Sequence, residues 1–305
     1  MGLFLFAIQD AIIKSFSGEY SVLQIVFTRS VTAIIIMLVL ILFTTGRRTF
    51  KIHNPWPIIF KGCCGFFSYI LYYMAITGLP LADAATITFT APILVTALSA
   101  ILFRESLGWR RWCAVLLGFV AITIVVGPKG HFNNLAVVLA LGAAFTYAIS
   151  TISTRYIDAR DTAVTAAFYS MATFLVLSVV VSAVVLVLFE GREDGPAAIA
   201  FLFRRWHHPG EVDQWLMVLL GFIASAGFYL LVKAYMVAEF SAVAPFEYLY
   251  ILWGAVFGFF IWQEIPSATT IVGVLLLVSS NMYILHRELV LRKRSAYRKP
   301  KVPHR

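Results

Sequence analysis

Apolar runs of roughly twenty residues, separated by short polar breaks, recur from one end of the chain to the other. They predict ten helices, over residues 2–17, 21–44, 56–79, 83–103, 110–127, 133–155, 162–189, 213–238, 242–262 and 267–286. The breaks are turn-like, as in Ser17-Gly18-Glu19, Gly78-Leu79-Pro80, Gly127-Pro128-Lys129-Gly130 and Asp158-Ala159-Arg160-Asp161. Most connections are a few residues long, so sequential helices are expected to run antiparallel. Only 190–212 is long, and Trp206 with His207-His208 suggests an interfacial segment. The first run has neither the basic flank nor the cleavage site of a signal peptide. Phe6 stands where a myristoylation motif needs Ser or Thr. It therefore reads as a true span, or as one whose start is truncated.

Composition narrows the class. Of 305 residues, 61% are hydrophobic and 13% charged, with a mean hydropathy of +0.87. A soluble domain is roughly 45–50% apolar and about 25% charged, so a water-soluble globule is excluded. Three cysteines cannot staple a chain of this length. The expectation is an all-α integral membrane protein.

The net charge of +9 could suggest nucleic acid, but its placement argues otherwise. With both termini in the cytoplasm, 18 of the 24 Lys and Arg fall on the inner side, five fall outside, and Arg29 sits within a span. That is the bias of a multi-pass topology and not a nucleic-acid footprint. The basic tail, with Arg292-Lys293-Arg294 and Arg298-Lys299, can also meet membrane lipid head groups.

The two halves repeat. Segment 62–117 aligns without gaps onto 221–276, placing Gly62 on Gly221, Ala85 on Ala244 and Glu105 on Glu264. Only eight of the 56 pairs are identical, so the order of features carries the argument. Each half runs helix, tight turn, helix, then a Glu two residues past an aromatic (Phe103, Trp262), then another helix. Five spans per half is an odd number, which predicts two inverted five-helix repeats with a site at their interface. The expected units are 1–130 and 131–287, followed by a tail over 288–305.

Particular strings resemble the drug/metabolite transporter superfamily, and within it the EamA family. They are Ile25–Arg29, Ala84–Pro92, Phe103-Arg104-Glu105, Ala242–Tyr248, Glu264-Ile265-Pro266 and Gly273. The resemblance covers nearly the whole chain. It implies a carrier of the bacterial inner membrane with ten helices, both termini cytoplasmic and a central cavity. The family pattern would place about ten more residues ahead of the first helix, and Pro92 has no counterpart at Ile251.

Ionisable groups inside spans are costly and so are functional candidates. Here they are Asp10, Lys14, Arg29, Lys233 and Glu247. Asp10 and Lys14 are spaced i, i+4, which permits an ion pair or a gate; alternatively Lys14 snorkels and Asp10 serves a neighbouring helix. Arg29 lies too deep to snorkel. It either holds an anionic cargo group or locks helix 2 to Asp10. Lys233 is expected to snorkel. Glu247, two residues after Pro245, is a candidate for proton coupling or cation binding, with Tyr248 beside it. Tyr69 and Tyr73 could present two rings to a flat ligand. Thr88 and its neighbours before Pro92 could line a polar cavity.

Other chemistry has no motif. Cys63-Cys64 and Cys113 lack metal-ligand spacing, and no HExxH, P-loop or GxSxG string occurs. No metal or cofactor is expected. An intramembrane lipid or isoprenoid enzyme would need converging carboxylates or histidines, and the spans supply only Asp10 and Glu247. The expected function is secondary transport of a small molecule. The family resemblance implies export of amino acids or related metabolites, or uptake of riboflavin or S-adenosylmethionine; the aromatic helices favour a flat cargo and so put riboflavin uptake first, with the others as alternatives. Oligomeric state is left open, a homodimer included.

Overall fold

The computed structural model describes residues 2–44, 50–104, 109–126, 135–158, 160–161, 163–188, 195–237 and 248–298. Among these the secondary structure is helical throughout. The helices are α1 (Gly2–Phe16), α2 (Val22–Thr44), α3 (Pro55–Ile76), α4 (Leu81–Thr88), α5 (Ala91–Leu102), α6 (Trp109–Val126) and α7 (Leu135–Ser153). They continue with α8 (Ala163–Leu188), the short α9 (Ala197–Phe203), α10 (Glu211–Val237), α11 (Leu249–Trp262) and α12 (Ala268–Arg298). Five stretches are each long and apolar enough to cross a bilayer: Val22–Phe43, Pro55–Ile76, Leu81–Leu102, Leu135–Tyr156 and Val164–Leu188. The chain is a multi-pass membrane protein.

A helix stands at each predicted place, with two corrections of substance. The stretch expected as one helix over 83–103 is broken at Phe89 and Thr90 into α4 and α5. Pro92 has no N–H to give the Thr88 carbonyl, so the helical ladder cannot run through this point. The Thr90 N–H turns back to the Ile87 carbonyl at 3.1 Å, and the Thr90 hydroxyl bonds the same oxygen at 2.7 Å. The second correction is α12, which continues to Arg298 where a tail was expected from 288.

Packing follows small side chains. α3 lies along α7 over Ala140, Ala143, Ala144 and Ala148, all fully buried. Apolar surface cannot drive association in lipid, so close backbone approach and hydrogen bonds must do so. The Ser68 hydroxyl donates to the Ala143 carbonyl at 2.9 Å, and the Ser150 hydroxyl to the Lys61 carbonyl at 3.0 Å.

The pairings are reciprocal between the halves. α3 packs on α7 and α8, while α10 packs on α1 and α2. α4 and α5 pack on α7, while α11 packs on α1. Two close approaches repeat as well: Gly62 faces Thr173, and Gly221 faces Thr32. Arg104 and Gln263, the non-glycine residues with left-handed backbone among those described, end α5 and α11 at equivalent positions 159 apart. The repeat thus relates α1, α2, α10 and α11 to α3, α4, α5, α7 and α8; these two groups meet where α2 packs on α8 and α11 on α4, and α6 pairs with α12.

The expected interfacial segment contains α9 and is bound to the α1–α2 turn. Arg204 donates to the Ser17 carbonyl at 2.7 Å, Gln24 donates to the His207 carbonyl at 2.7 Å, and the Tyr20 and His207 rings stack.

A methyl group on Gly221 would lie 2.4 Å from Thr32 Cβ and 2.9 Å from the Arg29 carbonyl oxygen. Gly221→Ala must therefore push α10 off α2, at about 1–3 kcal/mol. We expect a drop of several degrees in the unfolding temperature of the purified protein. Gly18→Ala, with nothing within 4 Å of the added carbon, should leave it unchanged.

Candidate functional site

A helix interior leaves no backbone N–H free, so a carboxylate buried there must find side-chain donors. Asp10, in α1 and buried, finds them on helices of both groups. From α3, Tyr73 donates to Oδ1 and Tyr72 to Oδ2, each at 3.0 Å. From α11, Tyr250 donates to Oδ2, and its hydroxyl is 2.9 Å from that of Tyr72.

Gln9 and Tyr69 close this network. The Gln9 amide nitrogen donates to the Tyr69 hydroxyl at 2.7 Å and to the Tyr73 hydroxyl at 3.0 Å. The Tyr69 and Tyr73 hydroxyls are 2.6 Å apart. Tyr73 has a single proton, so while it serves Asp10 the Tyr69 hydroxyl must donate to Tyr73. The carbonyl oxygen of Gln9 and Nε of Arg29 are buried without a hydrogen-bond partner among the described residues.

These groups form one end of a cavity of about 280 Å³. Its α1 wall runs from Leu3 and Phe6 to Gln9 and Asp10, and its opposite wall is the α4–α5 break at Thr88, Phe89, Ala91 and Pro92. The break therefore shapes the chamber. The lining is mainly apolar and aromatic with a few convergent polar groups, the usual make-up of a small-molecule site.

The predicted residues divide accordingly. Asp10, Tyr69, Tyr73, Thr88 and Pro92 come together at the cavity. Tyr248 stands just behind it, its ring 5.6 Å from that of Phe89. Pro245 and Glu247 lie outside the described residues, as does the side chain of Lys233. The alternatives left open for Asp10, Lys14 and Arg29 are narrowed. Asp10 and Lys14 are not paired: Lys14 turns instead to Glu264, with Nζ 2.5 Å from Oε1. Arg29 does not lock to Asp10. Its guanidinium carbon lies 4.2 Å from the centre of the Tyr69 ring, a cation–π contact. Tyr69 and Tyr73 both line the cavity, with their rings edge to face at 76°.

Gln9, Tyr72, Tyr250 and Glu264 were not singled out from the sequence. Tyr72 and Tyr250 stood among the many aromatics of their helices. Gln9 had only its adjacency to Asp10 as a signal, and Glu264 only its place in the repeat.

The chain matches the EamA-like transporter family over residues 1–127 and again over 134–285. It is 24% identical to the S-adenosylmethionine uptake transporter of Rickettsia bellii, covering 92% of this chain and 89% of that protein. It is 26% identical to the pseudopaline exporter of Pseudomonas aeruginosa, over 90% of each. An uncharacterised transporter of Helicobacter pylori is 27% identical, over 92% of this chain and 90% of the other. A solved crystal structure superposes with a TM-score of 0.59 at 18% identity, covering 94% of this chain and 96% of its own. The relatives are transporters, not enzymes, and none of those named here is a riboflavin carrier. Two family matches spanning nearly the whole length, on a helical membrane protein with a polar-ended cavity, make this chain a small-molecule transporter of the EamA family.

Proposed function

We propose that the protein is a secondary transporter of the bacterial inner membrane whose cargo carries a cationic group, with S-adenosylmethionine or a close analogue as the best candidate. The observation that carries this reading is the Asp10 carboxylate at the end of a chamber lined by Tyr69, Tyr72, Tyr73, Phe89 and Tyr250. Aromatic faces around one carboxylate attract a sulfonium or quaternary cation. The Rickettsia uptake transporters supply a cargo of that chemistry, and riboflavin, neutral in its ring system, has no use for the carboxylate.

In this reading the chain crosses the membrane ten times as two inverted repeats, 1–130 and 131–287, with 288–305 on the cytoplasmic side. The reciprocal helix pairings and the positive preference of the inner segments support it. The broken α4–α5 helix beside the cavity supports it too, since transporter sites near the midplane commonly use discontinuous helices. Lys and Arg placement then puts Lys14, the Gly78–Leu81 turn and Glu264 at the outer face.

Binding is tested on purified protein by thermal shift. A ligand held by the native state raises stability by about 2.7 kcal/mol at 100 times its Kd. S-adenosylmethionine should raise the unfolding temperature of the parent and leave that of Asp10→Asn unmoved, while riboflavin moves neither. A shift by riboflavin alone would sink the cargo assignment. Tyr73→Phe should weaken the shift less than Asp10→Asn does, because Tyr72 and Tyr250 still hold the carboxylate. Loss of one such hydrogen bond costs about 1–3 kcal/mol.

Topology is tested by thiol labelling in spheroplasts. A cysteine at Gly195 should react with an impermeant reagent, while one at Ser295 should stay unlabelled. The reverse pattern would turn the proposed orientation over.

A further inference from the structure

Beyond the Asp10 end of the cavity lie charged groups that the cargo site does not use. On α1 its lining stops at Asp10, and Lys14 lies one helical turn further on. On the other wall the lining residues begin at Thr88, seven residues past Leu81. Between these ends sits a compact charged cluster. Lys14 Nζ contacts Glu264 Oε1 at 2.5 Å, donates to the Leu79 carbonyl at 2.9 Å and lies 5.0 Å from the centre of the Trp262 ring. The other oxygen of Glu264 accepts the Leu81 N–H at 3.2 Å. One step away, the Thr270 hydroxyl donates to Asp83 at 2.8 Å.

Helix groups give this cluster its meaning. Lys14 belongs to α1, and Glu264 follows α11; these two helices pack together. Leu79 lies in the turn between α3 and α4 and Leu81 opens α4, in the opposite group, against which α11 also packs. The ion pair thus offers a donor to one backbone carbonyl and an acceptor to one backbone N–H across the interface that bounds the cavity. Its side chains are largely withdrawn from water, at 9% exposure for Lys14 and 22% for Glu264. Local structure fixes Glu264 in place. Gln263 takes a left-handed conformation with φ of 56°, and the Glu264 N–H returns to the Gly258 carbonyl at 3.0 Å, the C-terminal motif that ends α11.

A related arrangement recurs at the other end of the molecule. Arg155 lies 4.6 Å from the centre of the Phe103 ring, as Lys14 lies over Trp262. Phe103 precedes the left-handed Arg104 as Trp262 precedes the left-handed Gln263. Arg155 is 141 residues after Lys14, the same interval that separates Thr173 from Thr32 in the reciprocal glycine contacts. The two basic residues are therefore related by the repeat and stand at opposite faces.

We infer that Lys14 and Glu264 form the latch that closes the cargo site to one side of the membrane, and that Arg155 on Phe103 is the corresponding closure on the other side. Opening the Lys14 face requires α1 and α11 to release the Leu79–Leu81 turn. Because Asp10 and Lys14 share α1, a shift of that helix reaches the cargo carboxylate and the latch together. This inference rests on the transporter reading but not on any cargo.

The test reads access to the cavity without cargo, so it stands even if the cargo assignment fails. Cys63, Cys64 and Cys113 are replaced by Ser, a cysteine is placed at Thr88, and an impermeant maleimide is applied to right-side-out and inverted membranes. Glu264→Gln should speed labelling from the Lys14 face and slow it from the opposite face, by about tenfold for a 1.4 kcal/mol change in the balance of states. Arg155→Gln should do the reverse. The exchange Lys14→Glu with Glu264→Lys should label more nearly like the parent than Lys14→Glu alone, which also shows that the chain still folds. If Glu264→Gln and Arg155→Gln move labelling in the same direction, or neither moves it, the latch is wrong.

Discussion

One constraint organises the centre of this protein: a carboxylate removed from water inside a helix has no backbone donor within reach. Asp10 solves that problem with three tyrosine hydroxyls, two from α3 and one from α11. Each donor fixes a register. Tyr72 and Tyr73 set how far α3 slides along α1, and Tyr250 sets where α11 must begin. The alanine surface of α7 and the serine bonds to α3 then hold α3 at that position. The proposed cargo site and the interface between the helix groups are consequently the same structure, and neither can be altered without the other.

That identity also explains the broken helix. A continuous α4–α5 rod would fill the space opposite Asp10 with regular side-chain packing. Pro92 interrupts the ladder, Thr90 satisfies itself on Ile87, and the chain opens beside the tyrosines. The Thr88 carbonyl loses its helical donor there, while the Thr90 N–H and hydroxyl both turn to the Ile87 carbonyl and close the end of α4. The same economy appears at Gln263, where a left-handed residue ends α11 and delivers Glu264 to the interface.

Much of this was legible in the sequence, and the limits have physical reasons. Helix positions follow from apolar runs because the bilayer leaves few alternatives. Asp10, Tyr69, Tyr73, Thr88 and Pro92 were found because polar groups and proline stand out in apolar helices. The partners were not, since partner choice depends on interhelical rotation. The i, i+4 spacing of Asp10 and Lys14 suggested a pair, yet the two side chains serve different neighbours: α3 and α11 offer hydroxyls to one, and the α11–α12 connection offers a carboxylate to the other. Arg29 likewise reaches the face of Tyr69 instead of Asp10. Glu264 was visible as a mark of the repeat, but its task depends on a 159-residue symmetry that sequence identity barely preserves.

The tyrosine network also constrains how a cation can bind. A carboxylate offers about four acceptor sites, and three hydroxyls already use the oxygens of Asp10. An ammonium group demands up to three acceptors of its own, which must come from the remaining lone pair of Asp10, the unpartnered Gln9 carbonyl oxygen and the tyrosine oxygens, each in a fixed direction. A sulfonium has no proton to donate. It needs only proximity to negative charge and to the faces of aromatic rings, and it can approach Asp10 while every hydroxyl stays bonded. In the proposed reading a sulfonium therefore places fewer directional demands on the network than an ammonium, and the contacts that hold α3 and α11 on α1 can stay as they are.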